Sequence, residues 1–156
     1  MSWPRKLTTG FVLLSLVLLV KATPFVNSNE KFDEVGDVGC EAEMAHLDNF
    51  AIQLQNDPAA KGVIIFYGGK TFRGKLPKRG LAAARAARMK PYLVDRRGIP
   101  AEQVIVIDGG YRAKWTAEFW VVPSGATMPV PSPTVPARKI RFRKGKVNPR
   151  DYRCSV

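Results

Sequence analysis

Apolar positions recur along this chain with two different periods, and the change from one to the other predicts its elements. Met44, Leu47, Ala51 and Leu54 fall on one face of a helix, with Phe50 widening the stripe and Asn56-Asp57-Pro58 ending it. Residues 62–67 (Gly-Val-Ile-Ile-Phe-Tyr) are a continuous apolar run rich in β-branched side chains, short enough to predict a strand buried on both faces. In residues 79–100, Ala82, Ala86, Met89 and Leu93 stand at i, i+4, i+7 and i+11, one stripe of a second helix with Arg85 at its edge beside Tyr92. Gly98 closes this helix, because glycine takes the left-handed conformation at low cost. Pro91 lacks a backbone donor and its ring crowds the preceding turn, so a kink or broken turn is expected there.

Residues 103–108 and 116–122 give two more apolar strands, bounded by Gly109-Gly110 and Pro123, and residues 31–38 give a weaker extended signal interrupted by Gly36. The order β-α-β-α-β-β predicts an α+β fold with two helices packed on a mixed sheet. Ala86, Met89 and Leu93 are expected to pack against Ile64, Phe66 and Val106, with Leu47 and Phe50 completing the core. On that reading Leu93→Asp unfolds the domain and Arg88→Asp does not.

The two ends differ from this body. Residues 1–22 read as a signal peptide: Arg5 and Lys6 precede a ten-residue apolar run (11–20), and Val20-Lys21-Ala22 offers a cleavage site. The run is half of the roughly 20 residues that a spanning helix needs. A polar leader (23–30) leads into the domain (31–123), followed by a Pro-rich linker (124–137), read as an extended spacer without a core of its own. In the basic tail (138–156), cations alternate with Ile140 and Phe142, a pattern open to three readings: solvated disorder, a strand added to a sheet edge, or an adhesive segment for polyanions.

Charge sharpens the division. The net charge is +12, but residues 23–60 carry eight acids and one base, residues 61–123 thirteen bases and four acids, and residues 124–156 eight bases and one acid. Glu41 and Glu43 fall in the first turn of the first helix, where the helix dipole favours negative charge. Cys40 and Cys154 are the two cysteines, and in an exported chain they can form a disulfide tying the tail to the first helix.

Signatures of catalysis are scarce. The sequence has no P-loop, no G-x-S-x-G, no H-E-x-x-H and no pair of CxxC motifs. His46 stands alone and reads as a surface or edge residue. Asp108 and Glu118 could be set together as an acid pair, but carboxylates near strand ends are usually structural. No enzyme activity, metal or cofactor is expected.

The segment 81–99, with Leu81, Arg85-Ala86, Met89, Tyr92-Leu93 and Gly98-Ile99, resembles the second helix of the OmpA-like, peptidoglycan-associated family. The element order of residues 32–122 is similar to that family's domain as well. The resemblance implies that Arg85 holds a carboxylate of the diaminopimelate in the peptidoglycan peptide. Counting back without a gap, the family's ligand-binding aspartate falls on Lys70, its asparagine on Lys78, and the Gly-His-Thr before the aspartate on Tyr67-Gly68-Gly69. Ala113-Lys114-Trp115-Thr116 stands where the family has its late Asn-Arg-Arg stretch. A lysine repels the ammonium that the aspartate would meet, which shifts the expected preference toward ligands with several negative groups.

The resulting expectation is a non-catalytic binding or scaffolding protein, exported to the periplasm or cell envelope and associated with the outer membrane or wall. It would attach to peptidoglycan or another anionic wall polymer through Arg85, Lys70, Lys78, Gly68 and Gly69. The alternative is a protein-interaction module with a vestigial wall site, whose basic tail docks on an envelope protein. Nucleic acid is set aside as a partner because the export signal removes the chain from the cytosol.

Overall fold

The computed structural model describes Met1 and residues 30–148. The expected signal peptide beyond Met1, all of the polar leader but Glu30, and tail residues 149–156 lie outside the described residues. The elements are β1 (Lys31–Val35), α1 (Cys40–Asn56), β2 (Lys61–Gly69), α2 (Leu81–Ala86), α3 (Met89–Pro91), a π-helical turn (Tyr92–Arg96), a 3-10 turn (Ala101–Gln103), β3 (Val104–Arg112), β4 (Thr116–Val122) and a 3-10 turn (Ala137–Lys139). The strands form one mixed sheet in the order β1-β4-β2-β3. β2 and β3 run parallel, while β4 is antiparallel to both β1 and β2. The fold is α+β, with helices on a four-stranded mixed sheet.

The second helical region carries the mark of Pro91. The ring of a proline crowds the carbonyl four residues earlier, here Ala87, and regular helix stops at Ala86. The chain resumes as α3 and widens into the π-helical turn from the residue after Pro91. Gly98 then takes a left-handed φ of 68°, and Ile99 N donates to Leu93 O at 3.0 Å to close the end.

Alternation along β2 divides the core in two. Ile64 and Phe66 face Leu47, Phe50, Ala86, Met89, Leu93 and Phe119, with Val106 packed alongside, so the expected helix-sheet contacts are present. On the other face, Val63, Ile65 and Tyr67 pack with Val122, Ile105, Ile107 and Trp120. Burying side chains of this size contributes about 1.5–3 kcal/mol each.

Among the described residues no helix covers that second face; the Pro-rich segment does. Ala126 packs against its cluster. The Tyr67 hydroxyl accepts from Ser132 N at 3.1 Å, and Tyr111 O accepts from both Thr134 N and Val135 N at 3.0 Å. The reading of residues 124–137 as a free spacer is thereby corrected: prolines do not join the ladder, but an extended chain whose few amides reach single acceptors can still cover apolar surface. The tail continues in the same way, with Ile140 buried and Arg143 N bonded to Pro77 O at 3.0 Å. Among the described residues, no helix is long and apolar enough to cross a membrane.

Candidate functional site: an aromatic cleft and a basic face

Arg85 is the residue on which the sequence placed most weight, and it is only 3% exposed. Its Nε donates to Glu43 Oε2 at 3.1 Å, its Nη1 to Asp37 Oδ1 at 2.6 Å, and its Nη2 to the carbonyls of Gly36 and Val38 at 3.3 and 3.2 Å. The guanidinium also lies over the Trp115 ring, 3.8 Å from its centroid. Glu43 is itself 1% exposed. It accepts from Arg88 as well, whose Nε reaches Oε1 at 2.9 Å and whose Nη2 reaches both carboxylate oxygens at 2.6 Å. The chain thus supplies the carboxylates that Arg85 was expected to take from a ligand, and Arg85 does not line the cleft described next. The expectation for Arg88 is corrected too, since it is part of this buried cluster and not a dispensable surface charge.

The cleft opens at the C-terminal ends of the parallel pair β2 and β3. It has a volume of about 70 Å³, and its walls are the rings of Phe66, Phe72, Tyr111, Trp115 and Phe142 together with Leu81. Gly68 and Gly69 form part of its lining. A Cβ on Gly68 would stand 2.7 Å from the Tyr111 ring, and one on Gly69 would stand 2.5 Å from Trp115 N, so both glycines are needed for these walls to approach. Trp115 Nε1 is buried and has no hydrogen-bond partner among the described residues. Such a donor costs about 1–3 kcal/mol in lost solvation. Asp108 stands at the mouth, where its Oδ1 accepts from Gly110 N at 2.9 Å. A second hollow, around Ala87, Pro91, Val94 and Val106, is shallower and brings fewer polar groups together.

Phe142 reaches the cleft because the tail folds back onto the loop between β2 and α2. Lys78 and Arg143 form a parallel β-bridge, and Lys78 Nζ donates to Lys146 O at 2.7 Å. The Arg79 guanidinium lies 4.5 Å from the Phe142 centroid. Two strongly basic segments are therefore held side by side: residues 70–79 carry five cations and residues 138–146 six, with no acid in either. Ten of the eleven are exposed, and none forms an ion pair with a described carboxylate.

Of the five residues expected at the site, Gly68, Gly69 and Lys78 line the cleft, Lys70 is exposed outside it, and Arg85 is in the ion-pair cluster. Lys70 and Lys78 both belong to the basic face. Sequence reasoning missed Tyr111 and Phe142 as wall residues, Trp115 as a buried donor, and Glu43 as a counter-ion. Cys40 is disulfide-bonded; the expected partner, Cys154, lies outside the described residues.

The remaining candidates have structural partners. His46 is half-buried, with Nδ1 against Asp33 Oδ2 on β1. Glu118 is buried, accepting from the Tyr67 hydroxyl at 3.1 Å and from Arg112 Nη2 at 2.7 Å. Asp48 receives the Tyr92 hydroxyl at 2.7 Å and both Nε and Nη2 of Arg97. Burial pushes the Asp48 carboxyl up, but the bonds from Arg97 and Tyr92 together outweigh it and hold the group below the usual carboxylate range. Among the described residues, no group of His, Cys, Asp and Glu is placed to hold a metal. In comparison with known proteins, the chain matches no family model and no curated protein.

Proposed function

We propose that this is a non-catalytic binding or scaffolding protein of the cell envelope that attaches to an anionic wall polymer. The reading rests on one observation: eleven cations that pair with no carboxylate among the described residues, gathered from two segments that the fold clamps together. Like charges so placed repel one another, and a polyanion laid across both segments relieves that repulsion. Salt bridges elsewhere engage five of the eight acids of residues 23–60, and neither basic segment holds an acid of its own. The β-α-β-α-β-β order supports an OmpA-like frame, and the internal partners of Arg85 support a wall-peptide site that has lost its original ligand. Export through the signal peptide would bring the basic face to the periplasm and wall.

The test is a pull-down of the mature protein with purified sacculi, with and without their covalently attached anionic polymer, at low and high salt. Binding that needs the polymer and falls steeply with salt is expected, since the screening length is about 8 Å at physiological ionic strength. Equal binding to stripped sacculi in high salt would overturn the proposal. Retention of an envelope protein in place of the polymer would favour the protein-interaction alternative.

A further inference from the structure

The tail is docked against its own electrostatics. Residues 70–79 and 138–146 hold eleven cations and no acid, and none of the eleven pairs with a carboxylate among the described residues. Yet the two segments touch: Lys78 and Arg143 form a parallel bridge, Arg143 N donates to Pro77 O at 3.0 Å, and Lys78 Nζ donates to Lys146 O at 2.7 Å. Beyond Val135 the tail is anchored by Ile140, which is buried, and by Phe142, which is half-buried, meets Tyr111 edge-on and lies beneath the Arg79 guanidinium.

Alternation along the tail reconciles contact with repulsion. Lys139, Arg141 and Arg143 are exposed, with Ile140 and Phe142 turned inward between them, so the apolar groups face the domain and the charges face solvent. Counter-ions in solution reach charges so placed. Their screening length is about 8 Å at physiological ionic strength and about 30 Å at 0.01 M. At the first length a cation meets only its near neighbours; at the second, cations of one segment repel most of those in the other. Segments of opposite charge would be drawn together as salt is withdrawn, whereas these are driven apart.

We propose that residues 137–148 are an anion-gated strap, docked when counter-ions or a bound polyanion neutralise the basic face and released when they are withdrawn. The inference rests on the reading of that face as a polyanion site and adds its regulation. An anion that grips both segments at once favours the docked tail by the same factor by which docking raises its affinity. The strap carries Phe142, so closing it also completes the wall of the aromatic cleft beside Tyr111. Anion binding on the face and the shape of the cleft are thereby one equilibrium.

The experiment follows backbone order in the 15N-labelled mature chain by NMR relaxation. Arg141 and Arg143 report on the strap. Ala126, whose N donates to Pro123 O at 3.0 Å and which packs on the other face of the sheet, is the reference. In about 150 mM NaCl the two arginine amides should have order parameters of about 0.85, as in rigid backbone; in about 10 mM NaCl they should fall below about 0.6, with Ala126 unchanged. The nuclear Overhauser effect between the Phe142 and Tyr111 rings should be lost over the same range. A short linear polyphosphate added at the lower salt should restore both signals. Lys75→Glu with Arg141→Glu, which reverses one charge in each segment, should keep Arg143 ordered at both salt concentrations. The proposal is overturned if the wild-type tail stays as ordered or becomes more so when salt is withdrawn, or if polyphosphate binds without ordering it. The salt comparison needs no wall material: a strap that answers to salt in a protein indifferent to sacculi would refute the wall reading alone, and a tail indifferent to salt in a protein that binds sacculi would refute the strap alone.

Discussion

Arg85 donates its Nε to Glu43 Oε2 across 3.1 Å, and both side chains are almost wholly buried. The pair joins α2 to the first turn of α1, while the other guanidinium nitrogens hold Asp37 and the carbonyls of Gly36 and Val38 in the connection from β1. One arginine thus fixes the path of the chain between its first strand and first helix. A ligand carboxylate could reach it only by displacing an internal one.

Removing Glu43 should therefore be costly. Glu43→Ala leaves two guanidinium groups facing a buried site without their acceptor, and breaking a buried pair by deleting one partner costs about 3–5 kcal/mol. Arg88→Asp sets a second acid against Glu43 and should destabilise as well, against the sequence expectation. Urea denaturation is the measurement. A midpoint for either variant within error of wild type would mean that the cluster contributes little.

Much of the framework was legible in the sequence because apolar period fixes elements and faces. Of the stripe Met44, Leu47, Ala51 and Leu54, widened by Phe50, all but the half-buried Met44 are buried as read, and residues 62–67 are buried on both sides of the sheet. Glu43 could have been found by the same rule, since it stands four residues before Leu47 and so heads that stripe; the helix dipole gave it a sufficient explanation too early. Arg88 lies three residues after Arg85, on the same side of the helix, and shares its counter-ion for that reason. The course of residues 124–147 was not legible. It depends on single amide contacts to Tyr67, Tyr111 and Pro77, far apart in sequence, which leave no periodic trace. That segment also supplies one wall of the cleft, by bringing Phe142 back to Tyr111 on β3.

Acid should weaken the outer cluster of Asp48, Tyr92 and Arg97. The folded state holds the Asp48 carboxyl below its unfolded value, so its contribution to stability is complete above the unfolded value of about 3.9. It is lost as pH falls below that value and through the lower folded one. The group is partly exposed, so the effect is modest. Comparing wild type with Asp48→Asn by thermal melting, the difference should be present at pH 6 and shrink below about pH 4. A difference that grows as pH falls would contradict the sign.

Cys40 is disulfide-bonded at the start of α1, and the sequence holds one other cysteine, Cys154. A bridge between them closes a very long loop, for which the chain-entropy account gives about 4–5 kcal/mol less any strain. Reduction should lower the melting temperature of the wild type and leave that of Cys40→Ser unchanged. Non-reducing mass spectrometry should find the Cys40 and Cys154 peptides linked within one chain. Linkage between two chains would redirect the assignment to a covalent dimer.

The docked tail offers a separation of charge from geometry. Phe142→Ala removes no cation, yet it deletes the ring that Arg79 covers and that meets Tyr111 edge-on. Held in place, the two basic segments present one surface; released, the tail must be reordered each time a polymer binds, at about 0.5–1.5 kcal/mol for each side chain immobilised. Phe142→Ala should therefore weaken polyanion binding by about threefold to tenfold while leaving its salt dependence nearly unchanged, because the charges remain. A paired reversal, Lys75→Glu with Arg141→Glu, should instead flatten the salt dependence and leave the tail as resistant to protease as in the wild type. Arg85→Ala is the contrasting control: it should lower stability through Glu43, and in the folded fraction leave polyanion affinity intact. Salt titrations of binding on immobilised polymer, run beside limited proteolysis of the tail, separate these outcomes. Loss of binding in Arg85→Ala with its fold preserved would return the site to the arginine and away from the basic face.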